Sequence, residues 1–310
     1  MSRIQKSNLH RTLHTFYRLC FVLLFLPLTT LAQEDDMMDM FADEEPTTDY
    51  TFATFKSSRV VIGQSIENPA NGNLLFDIQH RFGTMNTGFK EFFGLDQATT
   101  RLGFQYGILD WLAIGIGRST LEKTYDASLK FKILRQSTGA KKMPVSLSYF
   151  CNIGISALEW SEPERENYFS SRLSYTHQLL VARKISRGVS LQLMPTFIHF
   201  NLVEKASDDN DVFSLGAAGR FKLSNRISLN LEYYYLISQQ TRKDFQDSFS
   251  IGIDIETGGH VFQLHMTNSA GIIEQHFIPR TTGKWFEGDI HIGFNISRAF
   301  VLKKPKEFKD

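Results

Sequence analysis

The sequence predicts an all-β protein: a closed, antiparallel, up-and-down transmembrane β-barrel of about twelve strands. Three observations lead there. Polar and apolar residues alternate with period 2 over strand-length segments from residue 73 onward. The connections between those segments are alternately short and long, as barrels with short periplasmic turns and longer extracellular loops require. The mean hydropathy is only -0.21 although aromatics make up 13%. That combination suits strands on which every second residue avoids lipid.

The first 32 residues read as an export leader. Arg3, Lys6, Arg11 and Arg18 precede the apolar run 19–31, and Thr30-Leu31-Ala32 offers a small-x-small cleavage position between Ala32 and Gln33. The run is too short to span a bilayer and contains Pro27. Cys20 precedes most of the run, which disfavours lipid attachment there. The 34 basic side chains include those four, so without the leader 30 face 33 acidic ones. Such a balance gives nucleic acid no basic face to bind. Cys151 is then the only cysteine left, so no intrachain disulfide can form.

Residues 33–49 carry Glu34, Asp35, Asp36, Asp39, Asp43, Glu44, Glu45 and Asp49 with no Lys or Arg, and read as a solvated flexible tail. Residues 50–72 combine a β-like Arg59-Val60-Val61-Ile62 with a turn-rich 68–72, which fits either an entry strand or a segment tucked into the barrel mouth. The barrel is expected over 73–302, with 303–310 as a basic tail.

Strands are expected near 73–82, 100–106, 112–119, 127–133, 144–157, 171–183, 189–202, 211–223, 227–235, 248–256, 260–267 and 289–300. The clearest sets Phe249, Ile251, Ile253 and Ile255 against Ser248, Ser250, Gly252, Asp254 and Glu256. An even number returns both ends of the barrel to one side of the membrane. Inner turns then fall at 107–111, 136–143, 184–188, 224–226 and 257–259, and outer loops at 83–98, 119–126, 158–170, 203–210, 238–247 and 268–287. Tyr106, Phe221 and Phe300 end inbound strands on the apolar face, and Tyr233 lies toward the other rim, where aromatic girdles belong. Pro195 sits inside an expected strand, which calls for a bulge or a strand end.

Asp77, Gln79, Arg81, Arg101, Gln105, Lys130, Lys132, Asn152, Gln192, Arg220, Lys222, Asn230, Glu232, Asp254, Glu256, His291 and Asn295 share the inward parity. A dry core would charge several kcal/mol for each. A hydrated or mutually paired lumen removes that penalty, and the mixed signs leave both arrangements open. The partners implied are outer-membrane lipid and a small polar solute, and the leading expectation is a channel or transporter. A closed barrel acting through its loops is the alternative, with Phe89, Phe92 and Phe93 in one outer loop and Trp285 and Phe286 in another. A barrel hydrolase is a third reading. Its candidates are His265, Asn268 and Ser269, but four residues along one strand place His and Ser about 13 Å apart. The nine His show no metal-ligand spacing, and no haem or nucleotide motif is present, so neither cofactor nor metal is expected.

Several phrases carry a resemblance. They are Gly94-Leu95-Asp96-Gln97-Ala98-Thr99-Thr100-Arg101-Leu102-Gly103, then Gly117-Arg118-Ser119 with Lys123-Thr124-Tyr125-Asp126, and Leu134-Arg135-Gln136. Thr267-Asn268-Ser269, Thr281-Thr282-Gly283 and Gly293-Phe294-Asn295-Ile296-Ser297-Arg298 complete the set. Together, over 54–300, the chain resembles an uncharacterised family of Gram-negative outer-membrane β-barrels with a domain of unknown function. The resemblance implies the barrel and its location, and carries no site residues across.

Overall fold

A computed structural model describes residues 47–303. The leader, its cleavage position at Ala32 and Gln33, most of the acidic stretch and residues 304–310 lie outside the described residues.

Twelve strands close into a barrel: β2 (Asn73–Thr84), β3 (Ala98–Leu109), β4 (Leu112–Ser119), β5 (Tyr125–Leu134), β7 (Ser146–Ile155), β8 (Leu173–Lys184), β9 (Val189–Phe200), β10 (Asp211–Lys222), β11 (Ile227–Leu236), β12 (Ser248–Thr257), β13 (His260–Thr267) and β14 (His291–Val301). Each pairs antiparallel with its neighbours in sequence, and β14 pairs with β2 to close the ring through a register shift between His291 and Gly293. Closure leaves no row of unpaired N–H and C=O groups facing lipid. Outward positions are apolar and open: Ile253 is 41% exposed, Leu264 56% and Ile116 60%. Inward neighbours such as Asp254, Gln263 and Gln105 are buried. Apolar residues outside and polar ones within is the reverse of a water-soluble sheet, and it is the arrangement hydrocarbon selects.

Two short strands depart from the expectation. β1 (Thr48–Tyr50) pairs with β6 (Ser137–Gly139), so the end of the acidic stretch is bound and the 136–143 connection is itself structured. Gly139, at φ 84, brings its backbone against the Thr47 carbonyl, an approach that a Cβ would block. Pro195 corrects a second reading, because β9 neither bulges nor ends there. The ladder toward β8 stays open around it while the pairs on either side, Gln178 with Thr196 and Val181 with Leu193, keep one register.

Residues 55–66 run inside the barrel and add no strand to its wall. Val60 donates to the Gly63 carbonyl and Ser65 to that of Ser58, which folds residues 58–65 into a tight hairpin. The loop following β13 also corrects the sequence reading. Instead of standing outside, Ile272, Ile273, Glu274, Gln275, His276, Phe277 and Ile278 are buried in the mouth, with Glu274–Phe277 as one helical turn. Its apolar residues find lumen partners there, Phe277 meeting the Tyr234 ring edge-on at 5.2 Å. Its later part stays at the surface, with Thr282, Lys284, Phe286 and Glu287 exposed.

A carboxylate pins this inserted loop to the loop after β4. Glu122 accepts from Arg280 Nη1 at 2.7 Å and lies 3.6 Å from His276 Nε2. Partial burial raises the Glu122 pKa, but His276 and Arg280 outweigh it and hold the carboxyl down at about 2.

Two outcomes follow. Ile253→Arg, in mid-strand on the lipid face, is expected to cost about 2–4 kcal/mol of folding free energy in bilayers, and Thr257→Arg at the rim about 0–1. Equilibrium unfolding in lipid vesicles measures both. For Glu122, a depressed folded pKa means its contribution is present above the unfolded value of about 4.5 and is lost as pH falls toward 2. Hydrogen exchange in 272–280 should therefore accelerate across that interval, and Glu122→Gln should remove the pH dependence.

Candidate functional site

The lumen is the candidate site, and its chemistry is set by what the wall offers the 55–67 segment. Glu232 on β11 accepts three successive backbone N–H groups of the hairpin tip, from Val61 at 2.9 Å, Ile62 at 3.0 Å and Gly63 at 2.8 Å. A carboxylate receiving several amides is among the stronger hydrogen-bonding arrangements a protein interior allows. Gly63 makes it possible: a Cβ there would stand 2.0 Å from Tyr234 Oη and 2.2 Å from Glu232 Oε1.

The hairpin carbonyls are taken by wall donors. Lys130 Nζ on β5 donates to Ser65 O at 3.1 Å and Glu67 O at 3.0 Å. Gln192 donates to Gln64 O at 2.7 Å, Gln263 to Val60 O at 3.0 Å and Asn295 to Val61 O at 2.8 Å. Arg220 Nη1 reaches Ala53 O at 3.2 Å and Thr54 O at 3.3 Å. Gln105 donates to Ser58 Oγ, and Lys56 pairs with Glu256 near the turn end. Irregular backbone at membrane depth requires such satisfaction from the surrounding protein.

Deeper against β2 and β5 lies a separate ion cluster. Arg101 grips Asp126 through Nε at 2.8 Å and Nη2 at 2.6 Å, and meets Asp77 at 3.2 Å and Gln79 Oε1 at 3.1 Å through Nη1. Gly103 and Gly117 give the guanidinium its room, since a Cβ on either would lie within 2.4 Å of it.

Of the residues singled out by parity, Asp77, Gln79, Arg81, Arg101, Gln105, Lys130, Arg220, Glu232, Asp254 and His291 are buried inside the barrel. Lys132 and Glu256 are half-buried near the turn end. Lys222, the last residue of β10, is exposed at the rim even though it shares the inward parity. The hydrolase candidates form no catalytic pair. Both His265 ring nitrogens meet no side-chain partner among the described residues, Ser269 Oγ accepts from Gly271 N–H, and Asn268 bridges Asp247 and Gly283. All three side chains are buried.

Parity missed the other half of the lumen. Phe150, Leu180, Met194, Ile198, Val212, Tyr234 and Leu236 point inward from β7 to β11 and pack with Phe55, Val60, Ile62, Ile66 and Phe277. The signal lies in Leu179-Leu180-Val181 and Leu193-Met194, where the strands stop alternating strictly. An uninterrupted apolar run marks a strand covered on both faces. Cavities among the described residues include one at each end of the lumen. One of about 530 Å³ sits at the turn end among Tyr50, Phe52, Lys132 and Arg135, and one of about 290 Å³ at the loop end among Phe200, Asp209, Thr241 and Arg280.

Solved structures match at low similarity. The NanC porin matches at 8% identity and TM-score 0.47 over 73% of this chain and 98% of its own. The KdgM porin gives 8% and 0.46 over 73% and 99%. Omp33 of Acinetobacter baumannii gives 8% and 0.39 over 76% and 100%. No curated protein matches. The family model described as Membrane bound beta barrel domain (DUF5777) matches residues 55–300, so the span it covers starts at the internal hairpin segment and ends in the closing strand. The chain belongs to this family of membrane-bound β-barrels.

Proposed function

We propose that the protein is an outer-membrane conduit for small polar solutes, closed in the conformation described by residues 55–67. One observation carries the reading: six of the wall's polar side chains are bonded to the backbone of that segment. Lys130, Gln192, Asn230, Glu232, Gln263 and Asn295 all hydrogen-bond it. Water can replace these bonds one for one, so withdrawing the segment would leave a hydrated, mixed-charge passage along β2–β5 and β11–β14. Phe55, Val60, Ile62 and Ile66, packed on the apolar half, hold it in place at rest.

A second reading keeps the lumen shut and places function at the loop end, where Phe89, Phe92, Phe93 and Phe286 are exposed. Conductance separates the two.

In planar bilayers the purified full-length protein should show a closed baseline with rare openings, and deletion of residues 55–67 should raise conductance at least tenfold. Val61→Cys with Gly252→Cys provides an independent check, because a Cβ at position 252 would lie 3.2 Å from Val61 Cγ1. Oxidation of that pair should abolish openings and reduction restore them. If neither the intact chain nor the deletion conducts while both remain folded, the conduit reading fails and the loop-end reading stands. Separately, Glu232→Ala removes a charged acceptor worth about 1.5–3 kcal/mol per bond. Losing the equivalent of one such bond should raise open probability about 10- to 100-fold, read from single-channel records.

A further inference from the structure

We propose that a small monovalent anion of halide size binds inside the barrel between Arg81, His265 and Gln79, and helps to fix the closed state. Arg81 on β2 is 0% exposed, and its Nε, Nη1 and Nη2 all lack hydrogen-bond partners among the described residues. A guanidinium so placed carries five unmet donors and a full charge, which no interior tolerates without an acceptor. The buried carboxylates each face another group. Asp77 and Asp126 are held by Arg101, Asp254 by Gln263, Glu274 by Arg59 and Gln64, and Glu232, whose charge acts favourably on Arg81 without a hydrogen bond to it, by the hairpin amides.

The neighbouring strands add donors at the same level. Arg81 stands opposite Gly293 on β14, and Gly293 stands opposite His265 on β13. With no side chain between them, the His265 ring leans across the glycine: a Cβ on Gly293 would lie 2.4 Å from His265 Nε2. Both His265 ring nitrogens are buried and meet no side-chain partner among the described residues, and one of them carries a proton in either neutral tautomer. Gln79, one inward position before Arg81, gives its Oε1 to Arg101 and leaves its Nε2 amide without an acceptor. Donors from three side chains on two strands therefore gather around a position flanked by a glycine.

Full enclosure selects the ion. An oxyanion brings several oxygens, each needing a partner in a dry interior, whereas a halide is satisfied by a few donors from any direction and sheds its hydration more readily. Binding of the ion stands whether or not the lumen opens, and its part in fixing a closed state rests on the proposed conduit.

The test uses the full-length protein folded in detergent, with thermal unfolding followed at constant ionic strength as isethionate is exchanged for chloride or bromide. Binding to the folded state alone predicts a halide-dependent rise in Tm of about 2–4 °C at concentrations well above Kd. Arg81→Met, which preserves length and packing, should abolish the dependence. Crystals of the unaltered protein grown in bromide should show an anomalous peak within hydrogen-bonding distance of the Arg81 guanidinium, a readout that does not depend on the variant folding. A Tm indifferent to halide, or bromide crystals with no peak at Arg81, would overturn the proposal.

Discussion

Twelve strands enclose a lumen too wide for their own inward side chains to fill and narrower than an open porin's. Hydrocarbon outside imposes apolar residues on one parity, and strand geometry then delivers the polar residues of the other parity to the inside. Those groups must be partnered. In this barrel the partner is a length of the chain's own backbone, drawn inward so that its unpaired amides and carbonyls meet the wall's unpaired side chains. Glu232 receiving Val61, Ile62 and Gly63 is where this exchange is most concentrated. The hairpin owes its position to Glu232, and Glu232 owes its burial to the hairpin.

The lumen is divided accordingly. From β14 through β5 the wall is ionic and amide-bearing, with Arg101 clamped between Asp77 and Asp126. From β7 through β10 it also carries an apolar patch of Phe150, Leu180, Met194 and Ile198, set among polar groups such as Gln192 and Arg220. The hairpin matches both: its backbone serves the polar half, while Val60, Ile62 and Ile66 enter the other. Glycines set how closely the parts approach. Gly63 lets the tip sit on Glu232 and Tyr234, and Gly117 lets Arg101 lie flat against the wall.

The strands were legible in the sequence because the dyad rule holds wherever one face meets lipid and the other meets polar groups. β12, with Phe249, Ile251, Ile253 and Ile255 outward, obeys it fully. The rule weakens where the inner face is also apolar, and there Leu180 and Met194 read as noise in an alternating strand. Parity also cannot say how far a residue lies from the rim, which is why Lys222 was grouped with buried residues although it ends its strand in solvent. The inserted 272–278 turn was read as an outer loop because loop length announces where a connection starts, not which way it folds. The adjacent Ile272 and Ile273, and Phe277 beside Ile278, were the available hint, being too apolar for a solvated loop. Pro195 was read as a break because a closed sheet offers no free edge, yet the ladder omits pairs locally and keeps its register.

The two segments that fill the lumen enter from opposite ends and touch. The hairpin arrives from the turn end and the 272–278 turn from the loop end, and Glu274 joins them through Arg59 Nη1 at 3.3 Å and Gln64 Nε2 at 3.2 Å. Glu274 is itself fully buried, so separating the segments strands a charge on each side. Withdrawing the hairpin therefore weakens the seat of the loop, and lifting the loop weakens the hold on the hairpin tip. The loop is in turn tied to the rim through Arg280 and His276 on Glu122. A perturbation at the extracellular rim thus has a continuous chain of ion pairs and hydrogen bonds by which to alter the stability of the hairpin entering from the other end. The filled lumen is one interlocked arrangement, and loosening either segment loosens both.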